Sequence, residues 1–217
     1  MKQILVFAVI AFAVGVAACG GSPTSPQEQT SASANRAPSI ISMSVTPQFG
    51  IQSLTLFTFA ANASDADGDP LTYTWNFGGG TLSGSSVTGT FSSGGDGTAA
   101  ITVSDGRGGS ATDSRAFVVG SASGSWMGSG QDLGSFTMGL TQTAGFITGS
   151  YNDSEGSGQI DPAQPGSINS SGQIEMRVKQ GQFTDWTFRG TLSQTGRQIN
   201  GQIFGSGFTG QAFVMNK

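Results

Sequence analysis

The chain has 217 residues, no histidine, one cysteine and a formal net charge of −4, with only 10% of its residues charged. The missing histidine removes Ser-His-Asp and Cys-His catalysis and most zinc sites, and mild acidity without a basic patch argues against nucleic acid as a partner. The 35 glycines oppose helix, because each interior glycine costs about 1 kcal/mol relative to alanine, so the composition points to an all-β protein.

Lys2 supplies a short positive region, and Ile4 to Val16 is an almost unbroken apolar run. A spanning helix needs roughly 20 apolar residues, so the run has the length of the apolar part of a secretory signal. It ends in Val16-Ala17-Ala18-Cys19, which resembles the lipobox of bacterial lipoproteins. The resemblance implies that residues 1–18 are a signal peptide, cleaved before Cys19, and that Cys19 is lipidated and becomes the membrane anchor. The other reading is an ordinary signal cleaved after Ala18, with Cys19 a bystander. Several acyl chains on one residue hold a protein at a membrane where a single chain holds it only marginally. Gly20 rather than aspartate follows Cys19, which by analogy with enteric lipoproteins places the protein in the bacterial cell envelope at the outer membrane. Once Cys19 is lipidated, no thiol remains for a disulfide, a metal or a nucleophile.

Residues 19–35 are rich in Ser, Thr, Pro and Gln and carry no large apolar side chain. They read as a flexible tether with a typical span of about 20–25 Å.

Residues 36–119 carry strand signals at the spacing of a β-sandwich. Ile40 to Val45 opens the series, and Phe57, Phe59, Ala61 and Ala63 alternate along the second strand. Leu71, Tyr73, Trp75 and Phe77 share a face of the third. Val87 with Phe91, Ile101 with Val103, and Ala116 to Val119 mark the rest. Asp-Gly, Gly-Gly and Asp-Pro dipeptides separate them, as turn chemistry requires.

The run Ser64-Asp65-Ala66-Asp67-Gly68-Asp69-Pro70-Leu71-Thr72-Tyr73-Thr74-Trp75-Asn76-Phe77-Gly78 and the later Val103-Ser104-Asp105-Gly106-Arg107-Gly108-Gly109-Ser110-Ala111 resemble PKD domains. The resemblance implies an Ig-like β-sandwich without the antibody disulfide, of the kind used as an accessory module on bacterial surface and secreted proteins. Asn76 and Gly79 depart from the acids common in the family's Trp-Asp-Phe-Gly-Asp-Gly stretch, so no role is carried over to them.

Asp65, Asp67 and Asp69 alternate in one short loop. An EF-hand counted from Asp65 would need Gly sixth and Glu twelfth, where Pro70 and Asn76 stand, so that reading fails. In an Ig-like sandwich the loops holding Asp65–Asp69 and Asp105 meet at one end, near Asn35. Two readings of Asn35, Asp65, Asp67, Asp69 and Asp105 follow. One is a calcium site, since calcium takes several hard oxygen ligands and some PKD and cadherin-like modules bind it at this pole. The other is a set of turn caps bonded to backbone amides.

Residues 120–217 read as an eight-stranded, up-and-down antiparallel β-barrel. Trp126 lies in the first strand, Phe136, Met138 and Leu140 in the second, and Ile147 and Tyr151 in the third. A weak fourth lies between Gly158 and Ile168. Ile174, Met176 and Val178 alternate with Glu175, Arg177 and Lys179 in a half-buried pattern. Trp186, Phe188 and Leu192, then Ile199 and Ile203, then Phe213 and Met215 complete the set. Gly124-Ser125-Trp126-Met127-Gly128 and Ile147-Thr148-Gly149-Ser150-Tyr151 are loosely similar to avidin-like and lipocalin-like barrels, an analogy of architecture from which no ligand follows. A barrel of eight strands is just wide enough to be filled by side chains or to hold one small ligand. The large inward set argues for filling, while Gly139, Gly149 and Gly201 argue for room near one mouth.

Gly205-Ser206-Gly207-Phe208-Thr209-Gly210 matches the dinucleotide fingerprint in letters, but no helix follows to receive phosphate, and it reads as a hairpin. Asp153 and Glu155 form a carboxylate pair of the kind glycosidases use, although adjacent acids in one loop are commonly solvated. Lys179 is the one lysine placed for a Ser-Lys dyad, and it alternates outward. The expectation is a non-enzyme: a lipid-anchored binding or adhesion module contacting polysaccharide or an envelope protein. The alternative is a lipocalin-like carrier of a small apolar ligand.

Overall fold

Alternating burial along short segments gives seventeen strands and no helix among the described residues of the computed structural model, which are 34–181 and 185–217. The expected signal peptide 1–18, Cys19 and the tether up to residue 33 lie outside the described residues. Asn35–Lys217 forms one unit and is described by itself.

Its first half is two stacked sheets. One holds β1 (Ser39–Thr46), β3 (Phe57–Ser64) and β6 (Ser86–Gly89) in the order β1-β3-β6. The other holds β2 (Phe49–Ile51), β8 (Ser110–Gly120), β7 (Gly95–Ser104), β4 (Thr72–Asn76) and β5 (Thr81–Ser83), in that spatial order. Every pairing is antiparallel except β2 with β8. This is the β-sandwich that the alternation predicts, in the Ig-like form that the PKD resemblance implies.

Phe57, Phe59, Trp75, Ile101, Val103 and Phe117 are buried between the sheets, each worth about 1.5–3 kcal/mol of transfer free energy. Phe59 and Phe77 rings lie 4.6 Å apart and Phe91 and Phe117 rings 4.9 Å apart. The indole of Trp75 donates to the Gly84 carbonyl at 2.9 Å, so its one polar atom is satisfied inside the core. A β-bulge between Ile40 and Ser42 turns Ile41 to solvent.

Three sandwich strands were beyond the reach of apolar alternation. β2 is three residues long, β5 is exposed throughout, and the first half of β8 carries the polar run Ser-Ala-Thr-Asp-Ser-Arg. Pairing with β7 holds that half in place.

The second half closes on itself. β9 (Gly124–Gly130), β10 (Gly134–Thr143) and β11 (Phe146–Asn152) pair in sequence. The fourth stave is split into β12 (Ser157–Ile160) and β13 (Gly166–Ile168), each pairing β11 on one side and β14 (Gln173–Lys179) on the other. Pro162 and Pro165 stand in the break, where their missing N–H groups cost no ladder bond. β15 (Trp186–Leu192), β16 (Gln198–Gly205) and β17 (Phe208–Asn216) follow, and β17 pairs β9 to complete the ring. The result is the eight-stave, up-and-down barrel read from the periodicity.

Sandwich and barrel share side chains. Ile51, at the end of β2, is fully buried in the barrel's core cluster, with Phe49 and Leu54 packed against that cluster. One element of the sandwich thus supplies part of the barrel's interior.

Candidate functional site

The acid loop folds as a chain of turn caps. Asp65 Oδ1 accepts the amides of Asp67 and Asp69, and Asp105 Oδ1 accepts those of Arg107 and Gly109. The Asn35 side-chain amide donates to Asp105 Oδ2 at 2.8 Å. The topology therefore brings Asn35 to Asp105 at the expected pole. Arg36 joins its main-chain N–H and its guanidinium to the carboxylate of Asp67, and Arg107 pairs with Asp69 at 3.0 Å. The Asn35 amide and the Arg107 N–H hold the Asp105 carboxyl below the usual carboxylate range, and the Arg36 guanidinium does the same for Asp67. Asp65 Oδ2 and Asp69 Oδ2 are buried without a hydrogen-bond partner. No three carboxylates converge on one point among the described residues. Neither arginine was singled out in the sequence, because nothing there says that residues 36 and 67 will meet.

The barrel interior is filled. Trp126, Phe136, Met138, Tyr151, Met176, Phe188, Ile199 and Met215 point inward and are buried. Phe136 lies 5.6 Å from both Tyr151 and Phe188, ring centre to ring centre, and Phe188 lies 5.2 Å from Phe213. Two of the glycines expected to leave room, Gly149 and Gly201, bring backbones together instead. A Cβ on Gly149 would fall 2.1 Å from the Gly139 carbonyl oxygen, and one on Gly201 would fall 2.0 Å from that of Arg189.

Of the candidate catalytic groups, Asp153 and Lys179 are held in structural contacts, while the Glu155 side chain is exposed. Asp153 accepts from the Tyr151 hydroxyl at 2.8 Å, from the Gln180 side chain and from the amides of Glu155 and Gly156. Burial opposes its ionisation, but these donors outweigh it and leave its pKa low; burial and the same partner push the Tyr151 hydroxyl up. Lys179 pairs with the buried Asp161 at 3.1 Å. Gly205–Gly210 joins β16 to β17 as a hairpin.

The outer wall of β14, β15 and β16 carries a surface that single-strand periodicity does not reveal. Registry places Glu175, Arg189 and Gln202 in one row across the three strands, and Gln173, Thr191 and Asn200 in the next. These six side chains line an open groove of about 550 Å³. Arg189 Nε donates to Glu175 at 3.1 Å, and its guanidinium lies 5.4 Å from the centre of the Phe204 ring. The side chains of Thr191 and Gln202 make no hydrogen bond among the described residues. The outward alternation of each strand was legible; which outward residues become neighbours depended on register.

Comparison with known proteins bears on the sandwich. No curated protein matches the chain. A solved structure concerned with the promiscuous specificity of carbohydrate-binding modules from the β-sandwich superfamily is similar at 15% identity and a TM-score of 0.38, over 84% of this chain and 92% of that one. The family described as the PKD domain matches residues 35–119, the span that holds the two stacked sheets and both aspartate loops. Over those residues the sandwich of this chain is similar to PKD domains.

Proposed function

We propose that the protein is a lipid-anchored component of the bacterial cell envelope that binds without catalysis, and that the six-residue grid on the barrel's outer wall is its contact face for polysaccharide. The observation that carries this is the grid itself. Sugar hydroxyls donate and accept at once, and adjacent hydroxyls are met by planar amides, carboxylates and guanidinium groups that offer two bonds in one plane. Glu175, Arg189, Asn200 and Gln202 supply those groups on rigid strands, and Thr191 and Gln202 have bonding capacity to spare. The filled interior supports an external ligand over a carried one. In affinity electrophoresis through gels containing soluble polysaccharides, the protein should be retarded by at least one of them. Asn200→Ala with Gln202→Ala should restore its mobility; equal retardation of the variant would remove the grid from the reading.

The anchor is proposed on the lipobox resemblance. Cys19→Ser should move the protein from the membrane fraction to the soluble one, and mass spectrometry should show no acyl chains on the variant.

A second reading concerns the acid pole, proposed as a calcium site. The two unpartnered buried oxygens of Asp65 and Asp69 support it, since buried anionic oxygens want a cation. Asn35, Asp67 and Asp105 are the further oxygen-bearing residues proposed to complete the set, with Asp67 released by Arg36. Millimolar calcium should then raise the melting temperature, and an unmoved melting temperature ends this reading.

A further inference from the structure

The seam between sandwich and barrel encloses a cleft of about 490 Å³, separate from the outer groove. Its walls are the β6–β7 loop and the end of β8 on one side, and the β15–β16 turn on the other. Asp96 and Arg197 face each other across its mouth at 3.0 Å. Its lining includes the buried Ser121, the half-buried Ser123 and the exposed Lys217.

The chemistry of that lining is lopsided. Six of the described cations pair with carboxylates: Arg36, Arg107, Arg177, Lys179, Arg189 and Arg197. Lys217, like Arg115, has no such partner among the described residues. Its main-chain N–H is fixed by the Arg197 carbonyl at 3.0 Å, which aims the side chain back into the seam. There the ammonium donates to the Ser121 carbonyl at 3.1 Å and lies 5.0 Å from the centre of the Trp126 ring. An ammonium has three donors, and one carbonyl and a ring face leave donors free for a ligand. Partial desolvation lowers its pKa.

The serines add to the surplus of donors. Ser121 Oγ accepts the Ser123 amide, and Ser123 Oγ accepts the Gln142 amide, so each hydroxyl keeps its own proton to give. The one carboxylate lining the cleft, Asp96, is taken by Arg197. A pocket in which one lining cation is unpaired and the one side-chain carboxylate is already taken favours an anionic ligand. The size fits one or two sugar rings, since clefts of about 300–1,000 Å³ hold drug-sized ligands.

We infer that this cleft binds the carboxylate of an acidic sugar, a uronate residue of a polysaccharide, with Lys217 as its counter-ion and the Ser121 and Ser123 hydroxyls as further donors. The inference extends the polysaccharide reading but uses a different surface, so the two can fail separately.

The test is calorimetric titration of the whole mature protein with a galacturonate trisaccharide and, in parallel, with a neutral galactose trisaccharide of the same linkage. The acidic sugar should bind at least ten-fold more tightly than the neutral one. Lys217→Gln should weaken it at least ten-fold at an unchanged melting temperature, Lys217→Arg should recover most of the loss, and Asn200→Ala with Gln202→Ala should leave it intact. Affinity should also fall as pH rises through the lowered lysine value. Equal affinity for both sugars, or an unaffected Lys217→Gln, overturns the inference. Loss on the Asn200 and Gln202 substitutions instead would assign acidic-sugar binding to the outer groove and overturn it equally.

Discussion

Gln52 of the sandwich and Gln142 of the barrel exchange hydrogen bonds, each side-chain amide donating to the other's main-chain carbonyl, at 3.3 and 3.4 Å. Gln142 also accepts the Ala122 amide at 2.8 Å and donates to the Ala144 carbonyl at 2.9 Å. Both glutamines are buried. Gln142→Ala would strand several buried backbone groups, so a loss of about 1–3 kcal/mol is expected, read as a lower urea midpoint. Gln142→Glu should cost at least as much, because it replaces a donor with a charge in a buried site.

Ile51 makes the same point through packing. It belongs to β2 of the sandwich yet is fully buried in the barrel core. Ile51→Ala should cost about 2–5 kcal/mol, and the loss should register in the barrel as strongly as in the sandwich. Amide exchange followed by mass spectrometry would separate the two: faster exchange confined to residues 39–119 would show that the halves unfold independently.

Gly201 tests why glycine is tolerated so widely in the barrel. Its missing Cβ lets the Arg189 carbonyl and the Gly190 Cα lie against it. Gly201→Ala should therefore destabilise the protein by about 1–3 kcal/mol or more through overpacking. Gly139→Ala is the control, since its Cβ would meet only the movable Ser150 hydroxyl at 3.2 Å. Thermal melts of the two variants should differ clearly.

Acid should loosen the aspartate pole. Asp105, bonded by the Asn35 amide and the Arg107 N–H, and Asp67, paired with Arg36, both titrate below the ordinary 3.8. A carboxyl with a lower pKa folded than unfolded leaves the unfolded chain binding more protons, so stability rises with pH across that window. The contribution is complete above 3.8 and is lost as pH falls from there toward the folded values. Melting temperature should drop on that acid side, and Asp105→Asn should shrink the drop.

The fold was readable wherever burial on one face imposed a period of two. Met176 and Val178, or Phe57 and Phe59, declare their strands because every second side chain must leave water. β5 and the front of β8 carry no such mark, since cross-strand bonds rather than apolar burial hold them. The acid pole was legible in part: two loops at one end of a sandwich predict that Asp65 and Asp105 lie near each other, but not that Arg36 and Arg107 supply the countercharge. The outer groove and the seam cleft were not legible, because Gln173 beside Thr191, or Lys217 beside Trp126, are neighbours only after register and closure are set.

Closure of the barrel rests on β17 meeting β9, with Asn216 opposite Met127 and Phe213 opposite Gly130. Pairings this distant along the chain form slowly, because the loop must be closed before the contacts repay it. A chain emerging N-terminus first can complete the sandwich while its barrel is still an open, curling sheet. The ring cannot lock until its final strand has been made, so the barrel's core stays open to water until synthesis has passed β17.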